Sequence, residues 1–321
     1  MAGDFTTVEV DGRQVRISNP AKVFFSARGE TKLDLVGHYL TVGPGALRGV
    51  WCRPTVLHRF PDGAEGKSFY QKRVPESRPD WLETAVVAFP SGRTATELCP
   101  TDLAHVLWAV NLGCLELHPW AVRRFEPHRP DELRVDLDPA PGLDFEAVRR
   151  AAFLLRELLG EFGLVGWPRT SGGRGMHIVV RIVPVAGFSE VRDAALALAR
   201  AAEGRRPDLI TSAWRKKDRG PKVFVDYNQN ARDRTLASAY SARPGPDGRV
   251  AAPLRWDEVA GAEPGDFTLA TMPERWRTAG DVEAALEDRA GSLAPLLALA
   301  RRDAAQGVAD APWPPHHPRR S

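Results

Sequence analysis

Cysteine is scarce in this chain of 321 residues: Cys52, Cys99 and Cys114 form an odd set with no CxxC pairing. That pattern excludes a disulfide framework and a thiolate zinc site, and reads as three small buried hydrophobes in a reducing compartment. Any metal used here must therefore be held by oxygen and nitrogen. Long apolar runs are also missing. The longest, Leu293–Ala300, is far too short to span a bilayer, and the N-terminal MAGDFTTVEVDGRQ has no apolar core of a secretory signal. A cytoplasmic protein without a membrane partner is expected. Neither sign of charge dominates, with 44 Lys and Arg against 41 Asp and Glu for a net +3. Such a balance barely favours nucleic acid, so local clustering has to carry that argument.

No internal repeat or linker interrupts the body. Val308–Ser321, VADAPWPPHHPRRS, is proline-rich and aperiodic. One domain is therefore expected over residues 1–305, with 306–321 as a disordered tail. Helical periodicity is clearest over Asp144–Phe162, where Val148, Ala151, Ala152, Leu155, Leu159 and Phe162 form one stripe and Gly163 ends it. Ser189–Glu203 and Thr101–Leu112 repeat the pattern, and a further helix is expected over Val282–Arg302. Thr31, three residues before Asp34, opens a short helix with a capping box. Strand-like runs at Leu133–Asp138, Ile178–Val183 and Lys222–Tyr227 lie among these helices. The mixture predicts an α/β (α+β) fold with a mixed central sheet flanked by helices.

The run LRVDLDP sets Asp136 and Asp138 two apart on a predicted strand, so both carboxylates leave one face. Like charges this close raise each other's pKa unless a cation lies between them, and a hard divalent ion meets that need. Two solvated acids at a strand end have the same spacing, so the pair alone does not identify a site. Asp226, ending the apolar run of KVFVDYNQN, supplies a second acid in matching context. Three carboxylates on adjacent strand ends would make a two-metal site for phosphoryl transfer.

Between helix and strand lies TSGGRGMH, residues 170–177. Its glycines free the backbone to approach a ligand, and successive N–H groups form an anion nest. Ser171, Arg174 and His177 add a hydroxyl, a guanidinium and an imidazole suited to a triphosphate. A flexible hairpin loop has the same composition, and the GK[ST] ending of a Walker A motif is absent.

DLD, then SGGRGMH, then VFVDYNQN, in that order, resembles the three catalytic motifs of the archaeo-eukaryotic primase superfamily. The likeness is strongest to the polymerase domain of bacterial ligase D, which acts in non-homologous end joining, in a stand-alone form. ISNPAKVFF, GKSFYQKRVP, ELHPW, AYSARPG and PLRW extend it over about Arg16–Trp276. The resemblance implies a primase-polymerase fold whose sheet carries Asp136, Asp138 and Asp226 as the catalytic, metal-binding triad. It implies manganese, with magnesium as the alternative ion, and NTP or dNTP as substrate with ribonucleotides preferred. His118, Ser171, Arg174, His177, Gln229, Arg243 and Lys72 would contact the nucleotide. Lys22 and Lys32 match a basic pair for the 5′-phosphate of gapped or broken DNA, and Phe69 and Tyr70 match an aromatic pair that stacks on template bases. Arg59 and Arg219 would join them on DNA. Implied partners are a separate ligase and an end-binding protein, and the implied location is the nucleoid.

The residues agree with the resemblance in kind. Phe69 and Tyr70 among Lys67, Lys72 and Arg73 interleave rings with cations as single-strand binders do. The sequence departs from the family pattern at His58, where lysine is usual, at Tyr70, which replaces a phenylalanine, and at Arg174, where lysine is frequent. No KxDG adenylation motif is present, so ligation is expected from another protein. Three carboxylates equally suit a two-metal nuclease or phosphoesterase, which has no need of a triphosphate cradle. A non-catalytic module that bridges DNA ends has no need of crowded acids.

Overall fold

Asp11 and Gly12, both at positive φ, turn the first hairpin, β1 (Phe5–Val10) against β2 (Arg13–Ser18), in the left-handed geometry that suits two-residue turns. This computed structural model describes residues 4–315 and residue 317. A short ladder, β3 (Val23–Phe25) with β4 (Glu30–Thr31), leads into α1 (Lys32–Thr41). The expected capping box is there: Thr31 Oγ1 accepts from Asp34 N at 3.2 Å, and the Asp34 carboxylate accepts from Thr31 N at 2.7 Å. After α2 (Gly43–Val50) come β5 (Thr55–Arg59), β6 (Phe69–Gln71), β7 (Thr84–Ala88), β8 (Thr94–Leu98), α3 (Leu103–Asn111) and β9 (Cys114–Pro119). These five strands make an antiparallel sheet in which β5 pairs with β6, β8 and β9.

The second large sheet is built from β10 (Glu132–Pro139), β11 (Gly166–Thr170), β12 (Met176–Arg181), β13 (Ile210–Thr211) and β14 (Val223–Val225), with α4 (Phe145–Glu161) after β10 and α5 (Phe188–Arg205) after β12. Its order is β11-β12-β10-β14-β13, antiparallel except for the parallel β13–β14 edge, so β10 lies in the middle. Leu133, Val135 and Leu137 are buried beneath α4 and α5 in a core cluster that also takes in Leu57, Leu98 and Leu115 of the other sheet. The mixed sheet flanked by helices is the α/β arrangement expected. All three cysteines are buried and free.

The last helices are α6 (Met272–Ala279) and α7 (Ala294–Ala305). Helix was expected from Val282, but 282–293 is irregular. Glu283 turns inward to accept from Arg169 Nη2 at 2.8 Å, and Gly291 N donates to Arg181 O at 2.9 Å. Satisfying a buried guanidinium outweighs local helix propensity. In the Pro-rich segment expected as a tail, Ala311 and Pro312 meet a side chain of the body. Arg192 Nη2 donates to Ala311 O at 2.7 Å and to Pro312 O at 3.2 Å, because a buried guanidinium needs acceptors. Residues 316 and 318–321 of that expectation lie outside the described residues. Among the described residues, no helix is long and apolar enough to cross a membrane.

Candidate active site

Alternation along β10 points Asp136 and Asp138 to one side of the sheet. In register, Asp136 stands beside His177 of β12, and Asp138 beside Phe224 of β14. Past the end of β14, Asp226 N donates to Asp136 O at 2.9 Å, and Asp226 Oδ1 accepts from Asn228 N at 2.9 Å. This opens a 3₁₀ turn, Tyr227–Asn230. Ligand oxygens of the three acids lie within 4.8 Å of one another. Gln229 Nε2 spans two of them, 3.2 Å from Asp136 Oδ2 and 3.4 Å from Asp226 Oδ2.

The electrostatics of this cluster are unbalanced. Burial, followed by the charges of Asp138 and Asp226, raises the Asp136 carboxyl well above its usual range. Burial raises Asp138 against the pull of Arg219, Arg174 and Lys216. Asp226 is pushed up to about 6, mainly by burial and then by Asp138, despite the hydrogen bond from Asn228. Crowded carboxylate oxygens, two of the three acids buried, fit a hard divalent cation, and these three residues would hold it.

A cavity of about 720 Å³ opens over Asp136 and Asp138. The glycine-rich loop forms one wall. An added Cβ at Gly175 would lie 2.3 Å from Leu137 O, so only glycine lets this loop close on β10. Ser171 Oγ accepts from Gly173 N and Gly175 N, each at 3.2 Å, which fixes the loop's curvature. Arg174, Lys216, Arg219 and Arg243 also line the cavity, making it cationic opposite the acids. Arg219 is set by Ala213 O at 3.1 Å and by the Phe224 ring at 3.6 Å. Burial, then Arg243 and Arg169, push His177 down to about 3, so its imidazole is neutral near pH 7. Its Nε2 is 3.6 Å from Asp136 Oδ1, and its buried Nδ1 has no hydrogen-bond partner.

Glu116 was not singled out in the sequence. It accepts from His118 Nε2 at 3.3 Å and from His58 Nδ1, and it pairs with Arg243. Burial works to raise its carboxyl, but those two imidazoles and Arg243 hold it well below the usual range. Tyr70 stacks on His58 at 4.1 Å and meets His118 edge-on at 5.5 Å. The alternation in ELHP, which puts Glu116 and His118 on one face, was the available signal. Their donor atoms and those of His58 are close enough to hold an ion. Arg243 and both imidazoles already answer the carboxylate, so the group reads as a positioning network for His118 and Arg243.

The structure brings Tyr70, His118, Asp136, Asp138, Ser171, Arg174, His177, Arg219, Gln229 and Arg243 to one cavity, with Asp226 beside it. Lys72 is not among the side chains that line it. β6 ends at Gln71, and the Lys72 ammonium settles 4.4 Å over the Phe89 ring, in a separate cleft with Arg73 and Arg93. Phe69 is 46% and Tyr70 57% exposed, with Arg59 5.0 Å over the Phe69 ring. Lys22 Nζ donates to Pro61 O at 2.6 Å. Lys32 is buried, and its Nζ donates to Ser18 O at 2.7 Å and Asn111 O at 3.0 Å. Burial, then Lys22 and Arg59, lower the Lys32 pKa, so these three cations share one neighbourhood.

Residues 31–283 match the family model described as "LigD, primase-polymerase domain". The chain belongs to the LigD primase-polymerase domain family. It is accordingly a nucleotidyltransferase of the primase-polymerase type. It is 31% identical over 261 residues to the bifunctional non-homologous end joining protein LigD of Bacillus subtilis, covering 81% of this chain and 42% of that protein. It is 29% identical over 276 residues to the multifunctional LigD of Mycolicibacterium smegmatis, covering 85% of this chain and 36% of the relative. The chain thus spans well under half the length of the LigD proteins it matches. Among solved structures it resembles the polymerase domain of Mycobacterium tuberculosis ligase D in complex with DNA. There the TM-score is 0.81 at 30% identity, over 86% of this chain and 99% of that one.

Proposed function

We propose that this LigD-type domain adds nucleotides, template-directed, to 3′-hydroxyl ends at gaps or double-strand breaks during DNA repair. One observation carries the reading: Asp136, Asp138 and Asp226 cluster at a cavity that the first two line, and whose other wall is a glycine-rich loop ringed by Arg174, Lys216, Arg219 and Arg243. Acids alone would suit hydrolysis, but a cationic cradle beside them suits a nucleoside triphosphate. The guanidiniums lining the cavity bind the phosphates, and His118 flanks the nucleotide. Asp136, Asp138 and Asp226 would hold divalent ions, manganese in preference to magnesium, which would supply activation of the hydroxyl and neutralisation of the leaving oxygens. A bond forms between the 3′-oxygen and the α-phosphorus, the bond to pyrophosphate breaks, and the hydroxyl proton leaves to solvent. Phe69 and Tyr70 provide stacking surface for template bases, and Lys22, Lys32 and Arg59 a basic site for a 5′-phosphate. Ribonucleotide preference, a ligase partner and an end-binding partner belong to the same reading.

The test is extension of a gapped, 5′-phosphorylated duplex with each nucleotide type under Mn²⁺ or Mg²⁺, following pyrophosphate. Primer growth with stoichiometric pyrophosphate, lost in Asp136→Asn and Asp138→Asn, is the expected result. Strand shortening or release of free phosphate would make the protein a nuclease or phosphoesterase.

A further inference from the structure

Arg192 of α5 is fully buried although it touches neither the cavity nor the triad. Its guanidinium is shared between two segments far apart in sequence. Nε donates to Asn228 Oδ1 at 2.8 Å, in the turn after Asp226. Nη1 donates to Asp310 Oδ1 at 3.1 Å and Nη2 to Ala311 O at 2.7 Å. The Trp313 ring covers the guanidinium at 3.9 Å, and Tyr227 lies on it at 5.1 Å. Asn228 also donates from Nδ2 to Pro312 O at 3.0 Å, while its backbone N–H is the donor that Asp226 Oδ1 accepts. Both ends of the Asn228 side-chain amide are therefore held from outside the catalytic sheet, and its main chain holds the third acid. The C-terminal segment that completes this arrangement lies beyond residue 283, where the match to the family model ends.

We propose that residues 308–315 form a strap that, through Arg192 and Asn228, locks the Tyr227–Asn230 turn and so positions the Asp226 carboxylate toward the metal; Arg192 is a positioning residue. The inference rests on the reading of Asp136, Asp138 and Asp226 as the metal site. The physical basis is the role of second contacts in holding a ligand: a carboxylate on a free turn must give up orientational freedom each time the ion binds, and one already held does not. Arg192 suits the task because a planar, always-charged fork can satisfy several acceptors at once.

The test compares the full chain, the chain ended after Gly307, Arg192→Met and Asp226→Asn. Mn²⁺ binding is read from loss of the free-ion paramagnetic resonance signal, alongside affinity for a gapped duplex and the unfolding temperature. The expected result is a Mn²⁺ dissociation constant raised roughly 10–100-fold in the shortened chain and in Arg192→Met. Gapped-duplex affinity stays unchanged and extension recovers at saturating Mn²⁺. A purely structural strap would lower the unfolding temperature and leave the Mn²⁺ affinity of the folded protein unmoved, which would overturn the proposal. Should Arg192→Met fail to fold, the shortened chain decides, since it keeps Arg192. Wild-type Mn²⁺ binding by Asp226→Asn would instead overturn the assignment of the metal site itself.

Discussion

Asp226 N donates to the carbonyl of Asp136 at 2.9 Å, so the backbone ladder of β10 and β14 runs one residue past the end of the strand. The third acid is thereby held at its backbone by the second strand's own hydrogen bonding, and its carboxylate is carried to the metal side by the turn that follows. Three negative groups are forced together by main-chain geometry, and the fold bears the electrostatic cost.

That cost should be visible in metal-free protein. The Asp226 carboxyl stands at about 6 in the fold against an ordinary 3.8. A raised carboxyl favours the fold below its unfolded value, and that contribution is lost as pH rises through about 6. At pH 7.5 with chelator, Asp226→Asn should exceed wild type in stability by up to about 3 kcal/mol. The gap should close as pH falls from about 6 toward 4, and saturating Mn²⁺ should reverse it. Denaturant unfolding across pH measures this, and a gap that is constant with pH would contradict it.

Arg174→Ala and His177→Ala should each weaken nucleotide binding by about ten- to hundredfold, the scale of one charge-assisted hydrogen bond. DNA affinity should hardly change. Because His177 is neutral down to about pH 3, its removal should not alter the shape of the activity profile above pH 5. Parallel titrations with nucleotide and with gapped duplex test both points.

Lys22 and Lys32 should separate. Lys32 is buried on two carbonyls, so Lys32→Ala should cost about 1–3 kcal/mol of stability. Lys22 is partly exposed, and Lys22→Ala should stay within about 0.5 kcal/mol. Lys22→Ala should nevertheless lose preference for phosphorylated over hydroxyl gaps and lower the salt slope by about one. Affinities for the two gaps over a salt series provide the measurement.

Glu116→Gln should destabilise the protein by about 3 kcal/mol, since it strands Arg243 and two imidazoles. Its carboxyl is depressed, so its stabilising effect is present above the ordinary carboxylate range and is lost as pH falls below it. Adding Arg243→Gln should recover part of the loss. A double-mutant cycle with additive effects would refute the coupling.

Local chemistry made much of this legible in the sequence. A period of two with apolar flanks put Asp136 and Asp138 on one strand face, and Thr31 with Asp34 announced a helix start. Glycines at 172, 173 and 175 marked a loop that must approach a strand closely. These features depend on neighbours within a few residues, and such neighbours are visible in a string of letters. Other features were decided by packing at a distance. β6 has only three residues, too short to declare a period. His58 meets Glu116 only because β5 and β9 pair in that register, and register is a property of two strands at once. Lys32 reads as a surface cation until α1 packs it onto the carbonyl of Asn111. The helical pattern from Val282 lost to the need of Arg169 for Glu283, and the Pro-rich end was drawn in by the buried fork of Arg192. Apart from the short strand, in each case a buried charge had to find partners, and which partners were within reach depended on the folded chain.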